Sequence, residues 1–279
     1  MAYKSLLTVL TSVGSVDTIL PAAIDLARRN DAHLEVLCLG IDRTQAGYYY
    51  AGAAIVLQQD LIDRAQEDAR ALESKAQNRL KSEEIRWSTE SAVAQLGALN
   101  ELVSARARFN DLVILPKPFG TDRGQEDEAI VEAALFDGQA PVLVLPETGL
   151  GDRIGDRVVV GWNQSSEALT AIRRAMPFLR SAELVNIAVI DPPKHGAERS
   201  DPGGQLSQML TRHGVHAEVS VLAKTMPRVS DIIKRHVNDQ NATLLVMGAY
   251  GHSRFREAIL GGATRAMLEQ TDVPVLMAH

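Results

Sequence analysis

The sequence predicts an α/β protein made of two tandem domains, each a five-stranded parallel sheet with helices on both faces. Short apolar runs of strand length alternate with helical stretches along the 279 residues, as in parallel sheets covered on both sides. The order of elements starts again after the polar, glycine-rich segment Glu147–Asp152, which indicates an internal repeat. The length also suits about two domains of roughly 150 residues.

The first copy begins with a buried strand at Ser5–Thr11 and a helix at Ser15–Asn30, whose apolar residues recur at helical spacing. The alternation continues through strand Leu34–Ile41, helix Ile55–Ser82, strand Ile85–Ala92, helix Leu96–Arg108, strand Asp111–Pro116, helix Ala129–Phe136 and strand Pro141–Pro146.

The second copy repeats this order after the glycine-rich segment. Its predicted elements are strand Arg157–Asn163, helix Ser165–Leu179, strand Glu183–Ile190, helix Gln205–His213, strand His216–Ala223, helix Pro227–Val237, strand Leu244–Met247 and strand Val273–Met277. The plainest internal match joins Ala140–Leu145 to Val273–Ala278. We therefore predict domains at residues 1–148 and 153–279.

The composition excludes several classes of function. A net charge of −6 argues against a nucleic acid or an anionic membrane as the main partner. No apolar run approaches the roughly 18 residues of a membrane helix. The single cysteine, Cys38, lies in a strand-like run and has no intrachain partner, which is typical of a reducing compartment. We expect a cytoplasmic protein.

A glycine pattern near the end of the chain carries the functional prediction. Gly248, Gly251 and Gly261 follow the spacing G-x2-G-x9-G after a buried strand, and Gly262 stands where a helix would begin. Glycines let backbone N–H groups approach a ligand closely, and a helix start attracts anions. The pattern therefore predicts a phosphate cradle, although it is neither a P-loop nor a G-x-G-x-x-G fingerprint.

With its flanking strands, this pattern resembles the nucleotide loop of the universal stress protein family. The resemblance implies a flavodoxin-like (adenine nucleotide alpha hydrolase-like) fold in both domains. It also implies that residues at the strand ends meet the adenine and ribose, while the glycine loop and helix start hold the phosphates. The implied site residues are Asn163, Val189, Met247, Gly248, Gly251, Gly261, Gly262, Ala263 and Thr264.

The sequence departs from the family pattern at two positions of this site. Asn163 stands where the family usually has Asp, and an amide can still hydrogen-bond a base edge. Gly262 stands where the ATP-binding members have Ser or Thr, so the nearest hydroxyl is that of Thr264. In the first copy, Pro116 and Pro118 occupy the place of the loop. Proline has no N–H to donate, and we expect this degenerate domain to be empty.

The resemblance further implies that the last strands of the two copies, Pro141–Leu145 and Pro274–Ala278, pair within the chain to form an internal pseudo-dimer. Further homodimerisation is left open. The apolar last strand needs such cover because an exposed edge invites unwanted pairing.

We therefore predict a stress-response protein whose C-terminal domain binds ATP or AMP in a regulatory rather than catalytic role. Whether Mg²⁺ accompanies the nucleotide is left open. No catalytic residues or metal ligands are predicted, and His213 and His216 are interpreted as surface histidines. Two alternatives remain: an interaction scaffold that binds no nucleotide, and a weak ATPase or phosphotransferase.

Overall fold

The computed structural model describes residues 2–43, 53–120, 123–151, 153–192, 200–249 and 262–279. The chain divides into two compact units, Ala2–Ala140 and Pro141–His279. Both are α/β, as the alternating sequence pattern predicts. Within the described ranges, none of the helices combines the length and the apolar character needed to cross a lipid bilayer.

The first unit contains four strands and five helices among its described residues. In chain order they are β1 (Ser5–Leu10), α1 (Val13–Thr18), α2 (Leu20–Asn30), β2 (His33–Asp42), α3 (Ala53–Leu80), β3 (Arg86–Gln95), α4 (Leu99–Ala107), β4 (Leu112–Pro116) and α5 (Gln125–Glu132). A 3-10 turn at Leu96–Ala98 precedes α4, and a π-helical segment at Ala133–Asp137 follows α5. The strand order is β3-β2-β1-β4, and all neighbours are parallel.

The second unit holds six strands and five helices in the residues that the structure describes. They are β5 (Val142–Leu145), β6 (Arg157–Trp162), α6 (Ser166–Arg174), α7 (Met176–Ser181), β7 (Leu184–Ile190), α8 (Gly204–Arg212), β8 (Ala217–Leu222), α9 (Val229–Asp239), β9 (Leu244–Gly248), α10 (Gly262–Gln270) and β10 (Val275–Ala278). The order is β5-β10-β9-β6-β7-β8. The neighbours from β10 to β8 are parallel.

The last strands of the two copies pair, as the family resemblance implies. β5 runs antiparallel to β10, with Leu143 opposite Leu276. Both side chains are fully buried. This pairing places β5 in the second unit, so the units divide between Ala140 and Pro141. The repeat limits at 1–148 and 153–279 stay a prediction.

The sequence prediction was wrong about the first helix of each copy, which is broken into two. Within the predicted helix Ser15–Asn30, α1 ends at Thr18 and α2 begins at Leu20. Pro21 lies in the first turn of α2. In the second copy α6 ends at Arg174, and α7 carries Pro177 in its first turn. Proline lacks the N–H of a helix interior and is tolerated in a first turn. The break recurs at the same place in both copies, which supports the internal repeat.

Candidate functional site

The parallel sheet of the second unit has a topological switch point at β6. β7 lies on one side of β6 and β9 on the other, so the chain connections diverge at this point. Such switch points are where doubly wound sheets bind ligands. Asn163 directly follows β6, and Gly248 ends β9. The structure thus brings these two predicted site residues to adjacent strand ends.

Gly248 has a packing role that the sequence did not reveal. A Cβ at this position would lie 2.5 Å from the backbone nitrogen of Ala168 and 2.8 Å from the carbonyl carbon of Glu167. Both atoms belong to the first turn of α6. The close approach of this helix therefore requires glycine at residue 248, whether or not a ligand is bound.

The start of α6 is held by two side-chain hydrogen bonds. The Ala168 N–H donates to Oγ of Ser165 at 3.1 Å, which makes Ser165 the N-cap. The Ser165 N–H donates to Oδ1 of Asn163 at 3.2 Å. Asn163 is exposed and shapes the turn between β6 and α6. Its amide oxygen therefore has a structural task in addition to the predicted contact with adenine.

Glu167 and His279 also lie at this end of the sheet, and sequence reasoning missed both. The Ala249 N–H donates to the Ala278 carbonyl at 2.9 Å, and Nδ1 of His279 lies 3.0 Å from the Ala249 carbonyl oxygen. His279 thus ties β10 to the residue that follows β9.

Partial burial raises the pKa of the Glu167 carboxyl. Hydrogen bonds from its own backbone N–H, Ser165 and Ser166, together with the nearby His279, outweigh that effect. The pKa of Glu167 therefore lies below its ordinary value, and the carboxylate is the favoured form. No spacing rule in the sequence links these two residues, because only the packing of α6 against β9 and β10 brings them together.

Two predicted base-contacting residues lie inside the sheet. Val189 on β7 is 3% exposed and Met247 on β9 is 7% exposed. Val189 stands in register with Trp162 on β6, and Met247 stands in register with Met277 on β10. Both occupy the carboxyl-terminal part of their strands, one residue from the strand end.

The remaining predicted residues belong to the glycine loop and to α10. Gly251 and Gly261 lie outside the described residues. Gly262 is the first residue of α10, is exposed, and has open space where a Cβ would stand. Ala263 follows it in the helix, and Thr264 is 4% exposed. The first turn of α10 carries no acidic side chain.

The helix of the first unit that corresponds to α10 is α5, and its first turn is acidic. α5 carries Glu126, Asp127 and Glu128 in its first turn. The Gly124 N–H donates to Oδ2 of Asp127 at 2.9 Å. Burial raises the pKa of the Asp127 carboxyl, against the effects of the Gly124 hydrogen bond and Arg123. The protein's own carboxylates thus occupy the place where an anion would bind.

The described part of the chain shows no group of three His, Cys, Asp or Glu side chains able to hold a metal ion. His213 and His216 are both exposed, and Nδ1 of His216 lies 3.2 Å from the carbonyl oxygen of Glu183.

Comparison with known proteins gives a consistent set of relatives. Residues 155–279 match the model of the universal stress protein family. The universal stress protein Slr1230 of Synechocystis sp. (strain ATCC 27184 / PCC 6803 / Kazusa) is 31% identical over 113 residues, which cover 37% of each chain. The match therefore spans little more than a third of this curated relative.

Solved structures match over nearly the whole chain. A universal stress protein from Archaeoglobus fulgidus DSM 4304 has 14% identity and a TM-score of 0.67, covering 98% of this chain and 95% of its own. A putative universal stress protein from Pseudomonas aeruginosa UCBPP-PA14 has 16% identity and a TM-score of 0.55, covering 99% and 93%. At these identities the likeness shows the fold, which is flavodoxin-like.

Proposed function

We propose that the second unit, whose residues 155–279 match the model of the universal stress protein family, binds an adenine nucleotide, ATP or AMP, as a regulatory ligand in a stress response. The observation that carries the proposal is the contrast between the two equivalent helix starts. α10 begins with an exposed glycine and no acidic side chain, whereas α5 begins with three carboxylates.

The start of α10 has the properties of a phosphate site. The first N–H groups of a helix have no partner within the helix, and the helix dipole adds a partial positive charge there. Gly262 places no side chain over these groups. Thr264 is buried, so its backbone N–H rather than its hydroxyl is the group that we expect to reach a phosphate.

The base and ribose would lie between the ends of β6 and β9. Asn163 is exposed at the end of β6 and offers an amide to a base edge. Val189 and Met247 form the apolar ends of the neighbouring strands. Gly251 and Gly261 complete the proposed loop on the sequence pattern alone. The proposal assigns no protein ligand to Mg²⁺, which would bind through the phosphates.

The first experiment is chromatography of the nucleotide released from freshly purified, denatured protein. Calorimetric titration of ATP or AMP into the emptied protein, with and without Mg²⁺, accompanies it. We expect one site per chain. Absence of both released nucleotide and binding heat would refute the proposal and favour the interaction scaffold. Phosphate release in proportion to time and protein would instead favour the weak ATPase.

A matched pair of variants tests the location of the site. Gly262→Asp gives α10 a carboxylate in its first turn, as in α5. At about 6 Å and an effective dielectric constant of about 20, a carboxylate and a phosphate charge repel by about 3 kcal/mol before salt screening. We expect at least tenfold weaker ATP binding in 0.1 M salt.

Gly262→Ala is the control for this change. It keeps the N–H group, adds no charge and enters open space, so it should bind ATP within about twofold of wild type. Equal ATP affinity in Gly262→Asp and Gly262→Ala would show that the phosphates do not bind at the start of α10.

A further inference from the structure

β8 is the end strand of the sheet in the second unit. Among the described residues β7 is its one neighbour, so the outer edge of β8 is unpaired there. The Asp191 N–H donates to the Leu222 carbonyl at 2.9 Å, and backbone groups alternate in direction along a strand. Leu222 and every second residue before it therefore bond to β7. The N–H and carbonyl groups of Val219 and Val221 point outward, away from β7.

The residues with outward backbone groups are also apolar and exposed. Val219 is 38% exposed and Val221 is 55% exposed, and in the described part of the second unit they are the exposed large apolar side chains. Val219 stands in register with Ile187 on β7, and Val221 with Val189. Both residues of β7 are buried. The edge thus combines unpaired backbone groups with an apolar strip that continues the buried face of β7.

The end strand of the first unit is protected in a way that β8 is not. This strand, β3, exposes Arg86 and Glu90. Arg86 lies 2.7 Å from a carboxylate oxygen of Asp31, and Glu90 forms an ion pair with Arg106. Charged side chains on an edge strand discourage pairing with another chain. The outward residues of β8 carry neither charge nor proline, so this edge is open to a further strand.

A second copy of β8 fits the edge when it runs antiparallel about a two-fold axis at Ser220. Val219 then lies opposite Val221 of the second copy, and symmetry forms the reverse pair. The outward groups of each pair exchange both backbone hydrogen bonds. The valine side chains of both copies share one face and extend the apolar strip. The ladder ends at Ala223, whose carbonyl already accepts the Thr225 N–H at 2.9 Å.

The opposite face of the paired strands is matched in charge. Glu218 and Lys224 are exposed, and within the described ranges neither forms an ion pair. In the same register Glu218 lies opposite Leu222 of the second copy, and Lys224 of that copy follows two residues later. Its long side chain can reach Glu218, and symmetry repeats the contact. Opposite charges across paired strands are stabilising, so the charge pattern favours a second copy over an unrelated strand.

We propose that β8 is a dimerisation edge, at which two copies of this chain join their sheets antiparallel. A two-fold contact of this kind pairs the β8 edge of both copies and closes on itself. Two strands of six residues bury less than the roughly 1,200 Å² of stable dimer interfaces. The dimer is therefore weak, with a Kd on the order of 10–100 μM.

The first test is sedimentation velocity of the full chain from about 5 to about 500 μM in about 0.15 M salt. We expect the sedimentation coefficient to rise from the monomer value towards the dimer value across this range. A chain that remained monomeric throughout would overturn the proposal and would favour a strand of another protein as the occupant of the edge.

A matched pair of variants at residue 221 locates the contact. Val221→Pro removes an N–H that points outward, so it breaks no hydrogen bond to β7, and edge strands tolerate proline in this orientation. Val221→Thr is the control, because it keeps the N–H and the branched shape. We expect the association constant to fall at least tenfold in Val221→Pro and to stay within about threefold in Val221→Thr. Association of Val221→Pro equal to wild type would refute the assignment to β8.

An exchange of charges tests the two-fold register. Glu218→Lys brings two cations together at each contact and should weaken association at least fivefold. Adding Lys224→Glu restores opposite charges, and this double variant should return to within about twofold of wild type. A double variant as weak as Glu218→Lys would refute the pairing of β8 with a second copy. Thermal unfolding shows whether each variant is folded, and the charge variants keep the proposal testable if Val221→Pro unfolds.

Discussion

Substitution of Gly248 by alanine tests the packing argument for the end of β9. The added Cβ would lie 2.5 Å from the Ala168 nitrogen, about 0.9 Å short of the 3.4 Å at which ordinary contact begins. The neighbouring atoms are backbone, so rotation of a side chain cannot relieve the overlap. Either β9 or the start of α6 must move.

The size of the effect follows from two contributions. Overpacking in a well-packed interior typically costs about 1–3 kcal/mol. The overlap also falls on the N–H that Ser165 caps, and loss of an N-cap costs about 1 kcal/mol. We expect the free energy of unfolding of the second unit to fall by about 2–4 kcal/mol. For a unit of this size that corresponds to a decrease in Tm of roughly 10 °C.

The assay uses the two tryptophans, one in each unit. In a Trp87→Phe background, Trp162 at the end of β6 is the only tryptophan and reports on the second unit. Urea and thermal unfolding followed by its fluorescence give the change in stability. Gly262→Ala is the control, because its Cβ enters open space. If Gly248→Ala were as stable as this control, the packing reason for glycine at residue 248 would be refuted.

Two further predictions concern buried groups. Nε2 of His236 lies 2.7 Å from Oδ1 of Asn186, and both residues are buried. Burial lowers the pKa of His236 below 6.5, against the effect of Asp239, so the unfolded state binds the proton more tightly. Stability should therefore be full above about pH 6.5 and fall as the pH drops below it. His236→Gln should lose less stability than wild type between pH 7.5 and 5.5 in urea unfolding, and parallel losses would contradict this. Burial, with a smaller effect of Glu73, raises the pKa of the Cys38 thiol to about 12. A thiol reagent at pH 8 should therefore modify Cys38 only after the protein is denatured. Fast labelling of Cys38 in the native protein would show that this prediction is wrong.

Much of the fold could be read from local sequence, because strand and helix periods are properties of short segments. The apolar runs at Leu244–Met247 and Val273–Met277 became β9 and β10 within two residues at each end. The helix breaks at Pro21 and Pro177 could also have been predicted, since proline in a long helical pattern is a local signal. The site is harder to predict, because its residues come from distant segments.

The amino-acid sequence alone determined the alternation of strands and helices, the internal repeat and the glycine pattern before α10. These follow from periodicity and from the conformational properties of glycine and proline, which act within a few residues. Only the tertiary structure decided that Gly248 allows the close approach of α6 and that the His279 side chain contacts the carbonyl of Ala249. Each of these depends on which backbones pass close to one another, and the packing of the whole unit sets those distances.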